Sequence, residues 1–221
     1  PAGELGQQAL FKAATVQALF LGQYADATAK FRTFAESTPN KEFAFAAFRE
    51  MGDIWYSKQE NYLEAAAHYR EMLKKWPDHP EAPEIAYRVG RSLFFLWRFE
   101  EAINAFESVV RRYPTSGWAE RASYNIGLTQ YTRGEHTSGH AKSATKTYRL
   151  AIAAYKNFLR KYPTSALAPE AWFGIAACLE DLNALDGALR IYQSLRGKYP
   201  SQNVIEIKLA RIQERLAQRG R

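Results

Sequence analysis

The chain has 221 residues, of which 47% are hydrophobic and 14% aromatic, so it can bury a substantial core. Its single cysteine, Cys178, excludes an internal disulfide, and no apolar run approaches the roughly 20 residues of a membrane-spanning helix. The formal net charge is +7 and is concentrated in residues 111–161. Because Cys178 lies among small apolar residues, we expect a buried and unreactive thiol.

Five prolines, 37 to 49 residues apart, divide the chain into units with one shared internal pattern. They are Pro39, Pro77, Pro114, Pro163 and Pro200. Eight positions before them lie the aromatic residues Phe31, Tyr69, Phe106, Tyr155 and Tyr192. Twelve positions before them lie the alanines Ala27, Ala65, Ala102, Ala151 and Ala188. Thirteen positions after the first four prolines lie the small residues Gly52, Gly90, Gly127 and Ala176.

These offsets keep one face of a helix apolar, and the small residues allow two helices to approach closely. Each unit therefore predicts two antiparallel helices, A and B, with a proline that ends helix B. The joint between two units, the segment around the closing proline, occurs twice with nearly the same sequence: "RRYPTS" at 111–116 and "RKYPTS" at 160–165. We expect Ser116 and Ser165 to cap the helices that follow these joints.

The pattern resembles the tetratricopeptide repeat (TPR), whose marks are a small residue late in helix A, an aromatic–x–x–Ala early in helix B, a second aromatic and a closing proline. The Tyr-Pro-x-Ser joints, and units longer than the usual 34 residues, resemble bacterial cell-envelope TPR proteins of the BamD-like and YbgF-like (Tol-Pal coordinator) groups. The resemblance implies an all-α, right-handed superhelical solenoid in one domain, 1–221. Its five helix-turn-helix units are approximately 5–39, 40–77, 78–114, 115–163 and 164–200, and a capping helix follows at 203–218.

The resemblance also implies that the A helices line a concave groove in which a partner segment binds. Counted from the small residue of each unit, the groove positions hold an aromatic ladder flanked by arginines. They are Arg49, Tyr56, Tyr87, Arg91, Phe94, Tyr124 and Tyr131. Tyrosine and arginine are frequent at binding hot spots because they combine apolar area with a polar end. The alternative is that several of these side chains pack between helices and never contact a partner.

The fourth unit is longer than the others by an insertion near 132–146, "TRGEHTSGHAKSATK". Gly134 and Gly139 bracket its centre and disfavour a helix there, so we expect a mobile polar loop at one edge of the solenoid. Glu135, His136 and His140 are metal-ligating residue types, but without a further ligand or a helix the sequence predicts no metal site.

A strong basic excess surrounds this insertion. Residues 111–161 carry ten Lys and Arg side chains and two Glu, a net charge of +8. Such a field favours an acidic protein surface or anionic lipid, and nucleic acid is disfavoured because no recognised nucleic-acid-binding motif accompanies it. A plain solvated helix face is the alternative. A second partner contact is predicted on Arg121, Arg133, Lys142 and Lys146.

The final segment repeats an apolar residue at helical spacing. Ile205, Leu209, Ile212 and Leu216 form one stripe, with charged residues mostly outside it. This amphipathic pattern predicts a helix that closes the apolar face of the fifth unit.

No catalytic motif is present: the chain has no glycine-rich phosphate loop, no G-x-S-x-G and no H-E-x-x-H. We therefore expect a non-enzymatic protein-interaction scaffold that needs no cofactor and binds a protein or peptide partner. One hypothesis is a bacterial cell-envelope assembly component, in the periplasm or at the inner face of the outer membrane, with any targeting segment or membrane anchor upstream of Pro1. The alternative is a cytoplasmic TPR adaptor, or the regulatory domain of a longer protein.

Overall fold

The computed structural model describes residues 3–137 and 141–219, and every regular element in them is helical. The chain divides into two compact units, Pro1–Arg98 and Phe99–Arg221. Each of the five helix pairs predicted from the sequence is called a repeat below, and 'unit' denotes one of these two compact parts. The first unit contains α1 (Glu4–Leu19), α2 (Tyr24–Ser37), α3 (Lys41–Asp53), α4 (Tyr62–Lys75) and α5 (Ala82–Phe95). The second contains α6 (Phe99–Arg112), α7 (Gly117–His136), α8 (Ala141–Lys161), α9 (Ala168–Asp181), α10 (Leu185–Ser194) and α11 (Gln202–Arg219). A π-helical turn, Ile54–Lys58, continues α3.

Successive helices pack against each other within each unit, α1 through α5 in the first and α6 through α11 in the second. The short connections make neighbouring helices antiparallel, so the prediction of an all-α TPR solenoid is confirmed. The prediction of a single domain stays a prediction. The aromatic residues eight positions before each proline are fully or almost fully buried, as the repeat pattern requires: Phe31, Tyr69, Phe106, Tyr155 and Tyr192.

Side chains at the joints begin two of the helices. The Asn40 side chain accepts hydrogen bonds from the backbone N–H groups of Glu42 and Phe43 at the start of α3. Ser116 caps α7 as predicted, with its Oγ accepting from Ala119 N–H at 3.2 Å. The prediction for Ser165 is wrong, because α9 begins only at Ala168 and its N-cap is Leu167, which has no side-chain cap. The Ser165 hydroxyl donates to the Glu120 carboxylate and accepts from the Leu167 N–H at 3.0 Å, ahead of the helix.

The recurring glycine makes room for the recurring tyrosine. A Cβ atom on Gly127 would lie only 2.5 Å from Cδ1 of Tyr155, and Gly52 faces the Tyr69 ring in the same way. Tyr155 also contacts a second glycine, Gly174, where a Cβ would lie 2.6 Å from Cε2. Ordinary carbon–carbon contacts are about 3.5–4.0 Å. These glycines therefore let a buried ring of helix B lie directly on the backbone of an A helix.

The insertion is mostly helical, so the expectation of a polar loop is wrong. Helix α7 continues to His136 and α8 begins at Ala141, while 138–140, including Gly139 and His140, lie outside the described residues. The physical reason is Gly134, where a Cβ would lie 2.6 Å from Cε1 of Tyr148. Gly134 is thus a packing glycine like Gly127 and not a helix breaker. The insertion lengthens α7 and α8, the two helices of the fourth repeat.

Helix α11 closes the apolar face of the fifth repeat, as predicted. Ile205, Leu209 and Ile212 are buried in one cluster with Tyr192, and Leu216 packs on its edge. A buried carboxylate on α9 fixes this helix, since Glu180 is only 3% exposed and lies 3.0 Å from Nζ of Lys208 and 3.2 Å from Nε of Arg211.

Cys178, also on α9, is fully buried, and burial raises the pKa of its thiol, as expected for an unreactive cysteine. Across the described helices, none combines the length and the apolar character needed to cross a membrane.

Candidate functional site

The first unit carries two adjacent depressions on either side of Ala46, on α3. The first, here called the apolar pocket, has a volume of about 310 Å³. It is lined by Gln7, Gln8, Phe11 and Lys12 of α1, Phe34 of α2, and Phe43 and Ala46 of α3. The Phe11 ring meets Phe31 and Phe34 edge-on, with centroids 5.1 and 5.2 Å apart, so the floor is fixed by core packing. Phe43 forms the wall and is 52% exposed.

The second depression, here called the charged pocket, has a volume of about 430 Å³. Its lining consists of Glu42, Phe45, Ala46, Arg49, Glu50, Asp53, His79 and Glu81. Ala46 lines both pockets, so they adjoin along α3. Four carboxylates against one arginine give this pocket an excess of negative charge.

An ion-pair network links the wall of the charged pocket to α5. Arg49 contacts Glu81 and lies 3.8 Å from Glu84 and 3.9 Å from Asp53. Arg88 also contacts Asp53 and Glu84, with its Nη1 2.5 Å from Asp53 and its Nη2 2.8 Å from Glu84. Because each arginine serves more than one carboxylate, the acidic groups are positioned without being fully neutralised.

Two further groups show the acidic character of this surface. Partial burial and the neighbouring Asp53 carboxylate raise the pKa of Glu50. The His79 ring stacks on Phe45, with centroids 3.5 Å apart, and its Nε2 lies 3.1 Å from a Glu42 carboxylate oxygen. A cationic side chain entering the charged pocket would therefore meet several carboxylates at once.

The predicted groove residues of the first unit fall in two places. Arg49 lines the charged pocket, whereas Tyr56 and Arg91 lie near the C-terminal ends of their helices. There Tyr56 packs against Tyr62 at 5.6 Å, and the Arg91 guanidinium lies over the Phe95 ring at 4.9 Å. The other two, Tyr87 and Phe94, are half-buried on α5.

In the second unit, the predicted groove residues pack onto the core. The Tyr124 ring lies 5.8 Å from both Tyr155 and Phe158, and the Tyr131 ring lies 5.8 Å from Tyr148. Burial raises the pKa of Tyr131, which indicates a desolvated phenol. Both tyrosines remain half-buried, so partner contact through their edges stays a prediction.

The four basic residues of the predicted second contact are in different situations. Arg133 forms an ion pair with Glu100 at 2.7 Å, and Arg121 lies over the Trp118 ring at 4.8 Å. Lys142 and Lys146 are exposed at the start of α8. In the part of the chain that the structure describes, no three His, Cys, Asp or Glu side chains come together as metal ligands.

The apolar pocket was not predicted from the sequence because α1, helix A of the first repeat, has no preceding proline from which its register could be counted. A signal does exist. Ala14 precedes Pro39 by 25 residues, as Gly52 precedes Pro77, and Ala14 is fully buried. Phe11 therefore occupies the register position of Arg49, three residues before the small residue, and could have been recognised from that spacing.

Comparison with known proteins supports the resemblance seen in the sequence. The YfiO family model, described as outer membrane lipoprotein, matches residues 57–206, and a tetratricopeptide repeat model matches residues 17–80. No curated protein sequence matches the chain significantly. The TPR and BamD-like resemblance is thereby confirmed.

Similar solved structures are TPR or TPR-like chains of low sequence identity. A tetratricopeptide repeat protein from Parabacteroides merdae is 17% identical with a TM-score of 0.66, over 93% of this chain and 72% of that one. MamA from Desulfovibrio magneticus is 17% identical with a TM-score of 0.60, over 86% and 94%. PilF from Pseudomonas aeruginosa is 17% identical with a TM-score of 0.59, over 97% and 86%. At these identities the likeness establishes the fold alone.

Proposed function

We propose that this chain, which belongs to the YfiO family of outer membrane lipoproteins, is a cell-envelope scaffold that grips a segment of another protein on the A helices of its first unit. TPR and YfiO-like families are protein-interaction scaffolds and are generally non-enzymatic. The family description supports a place at the periplasmic side of the outer membrane. A cytoplasmic adaptor would need the same pockets, but no feature of the described residues favours it.

The observation that carries the proposal is the sharing of Ala46 by the apolar and charged pockets. A single bound segment can place an apolar side chain in one pocket and a basic side chain in the other. Phe43 and Glu50, which mark the two pockets, are seven residues apart on α3, or about 10 Å along the helix axis. An extended segment covers that distance in about three residues.

The chemistry of both pockets suits this mode of binding. Burying an aromatic or large aliphatic side chain fully contributes about 1.5–3 kcal/mol, which is typical of an anchor residue. The basic side chain adds selectivity and a faster association, because the carboxylates of the charged pocket attract it before contact. We therefore expect a partner segment with a large apolar residue and a Lys or Arg two to four residues away.

A positional-scanning library of short peptides, applied to the purified chain, tests this preference. We expect enrichment of an aromatic or aliphatic residue paired with Lys or Arg, and loss of that enrichment in Phe43→Asp. Leu63→Asp is the matched control, because Leu63 is exposed to a similar degree (54%) but lies on α4, outside both pockets. Equal losses in the two variants, or enrichment of acidic residues, would rule out this site.

A further inference from the structure

The basic surface of the second unit contacts aromatic rings and one amide side chain but is almost without carboxylate partners. Of the ten Lys and Arg residues in 111–161, Arg133 alone forms an ion pair with a carboxylate among the described residues. The other nine are all exposed: Arg111, Arg112, Arg121, Lys142, Lys146, Arg149, Lys156, Arg160 and Lys161. Most of them lie on α6 and α8, the two B helices that flank α7. Their charge is therefore available to an anionic partner.

A groove runs between these two B helices, with α7 beneath it. It has a volume of about 420 Å³. Its lining consists of Glu107, Val110 and Arg111 of α6, Ser123 and Ile126 of α7, and Ala153, Ala154, Asn157 and Lys161 of α8. Leu150, one turn before Ala154 on α8, is 42% exposed and extends the apolar strip along the same helix face.

We propose that this groove seats an acidic amphipathic helix of a partner protein. The apolar stripe of that helix lies on Val110, Ile126 and the two alanines, and its acidic flank meets the cations of α6 and α8. This site is separate from the pockets of the first unit and goes beyond the function proposed above.

Three features favour a helix of a protein over other anionic partners. The groove lies between two helices, α6 and α8, and the ridge of side chains on a further helix can pack into such a groove. Ala153 and Ala154 are small enough for a helix axis to approach within the usual 8–10 Å. Nucleic acid and lipid headgroups need cations but no apolar floor, whereas Val110 and Ile126 provide one.

The charges at the groove also set the register of the bound helix. Arg111 and Lys161 both lie in the last turn of their helices, so the cations cluster at one end of the groove. Glu107 lies one turn earlier on α6 and is exposed. The acidic residues of the partner therefore face the Arg111 end, and a carboxylate placed beside Glu107 weakens binding.

The test uses a designed 18-residue amphipathic peptide, with Leu at helical spacing and Glu on the opposite face, and a second peptide with Lys in place of Glu. Fluorescence anisotropy with the purified chain is expected to detect binding of the Glu peptide only. Binding weakens about tenfold in the double variant Arg111→Glu/Lys161→Glu. The control is Arg190→Glu/Lys198→Glu, which reverses the same two residue types at exposed positions outside the groove and leaves binding within about twofold.

Two further variants separate the groove from general electrostatic attraction. Ala153→Trp fills the groove without changing charge and is expected to weaken binding about fivefold or more. Glu107→Gln removes the one acidic side chain of the lining and is expected to strengthen binding about twofold. Phe43→Asp, in the other unit, leaves binding of the Glu peptide unchanged, so this result is independent of the first proposal.

Several outcomes would overturn the inference. Unchanged binding in Ala153→Trp would mean that the charges act without the groove. Equal affinity for the Lys peptide would remove the acidic specificity. Binding of the chain to vesicles containing phosphatidylglycerol is measured in parallel. If vesicle binding falls in Arg111→Glu/Lys161→Glu while peptide binding does not, the cations bind a lipid surface instead.

Discussion

The exchange Gly127→Ala separates two effects of opposite sign on the stability of the protein. Alanine is favoured over glycine within a helix by about 1 kcal/mol, so helix propensity alone predicts a more stable protein. The structure predicts the reverse. The added Cβ would lie 2.5, 2.7 and 2.9 Å from three atoms of the Tyr155 ring. That ring is 1% exposed and rests on Gly174 at its far side, so it has no space into which to move.

Overpacking a core costs about 1–3 kcal/mol, and the closed environment of Tyr155 places this site at the upper end. After the propensity gain, we expect a net loss of about 2 kcal/mol in the free energy of unfolding. In a chain of this length that loss lowers Tm by about 4–8 °C. Thermal unfolding followed by circular dichroism measures the change.

Gly117→Ala provides the control on the same helix, because no atom lies within 4 Å of its Cβ position. We expect its Tm to equal or slightly exceed that of the natural sequence. If Gly127→Ala also raised Tm, the recurring glycine would not be a packing residue, and the packing of the Tyr155 ring on the α7 backbone could not explain its position in the repeat.

Three other predictions concern the second unit's closing helix, a buried histidine and the insertion. Glu180→Gln removes the buried carboxylate beneath Lys208 and Arg211 and should cost about 1–3 kcal/mol in urea unfolding; no loss would mean that apolar contacts alone hold α11. Burial lowers the pKa of His68, whose ring is hydrogen-bonded to the Phe48 carbonyl, so the folded state resists protonation while the unfolded state takes up a proton. Stability should therefore fall as the pH drops below about 6.5, with a smaller fall in His68→Gln; equal falls in the two proteins would refute this assignment. Backbone amides of Tyr131–His136 should be protected from hydrogen exchange, whereas rapid exchange there would restore the loop interpretation.

The helices of this protein could be predicted from the sequence because each repeat fixes its own register. Pro77 ends one helix, Tyr69 fills the space between two, and Gly52 admits that ring, so three residues define a helix pair. The role of a residue that packs within one helix pair can therefore be predicted from the sequence of that pair alone. The buried stripe of α11 was equally clear, since Ile205, Leu209 and Ile212 follow the helical period.

The features that could not be predicted depend on contacts between successive helix pairs or on an ambiguous residue. A glycine signals both helix breaking and close packing, and only the position of Tyr148 decides between them at Gly134. The apolar pocket required Phe11, Phe34 and Phe43 from three helices to meet around Ala46. The groove of the second unit likewise combines three helices, and its cations were visible in the sequence while its apolar floor was not.

Photocrosslinking in the native cell shows whether the two pockets of the first unit bind a partner segment, with a photoreactive amino acid in place of Phe43 and, as the control, in place of Leu63. We expect the Phe43 probe to capture a defined envelope protein, through a segment in which a large apolar residue lies near a Lys or Arg, and the Leu63 probe not to capture it. Capture of cytosolic proteins alone, or the same captured protein at both positions, would contradict it.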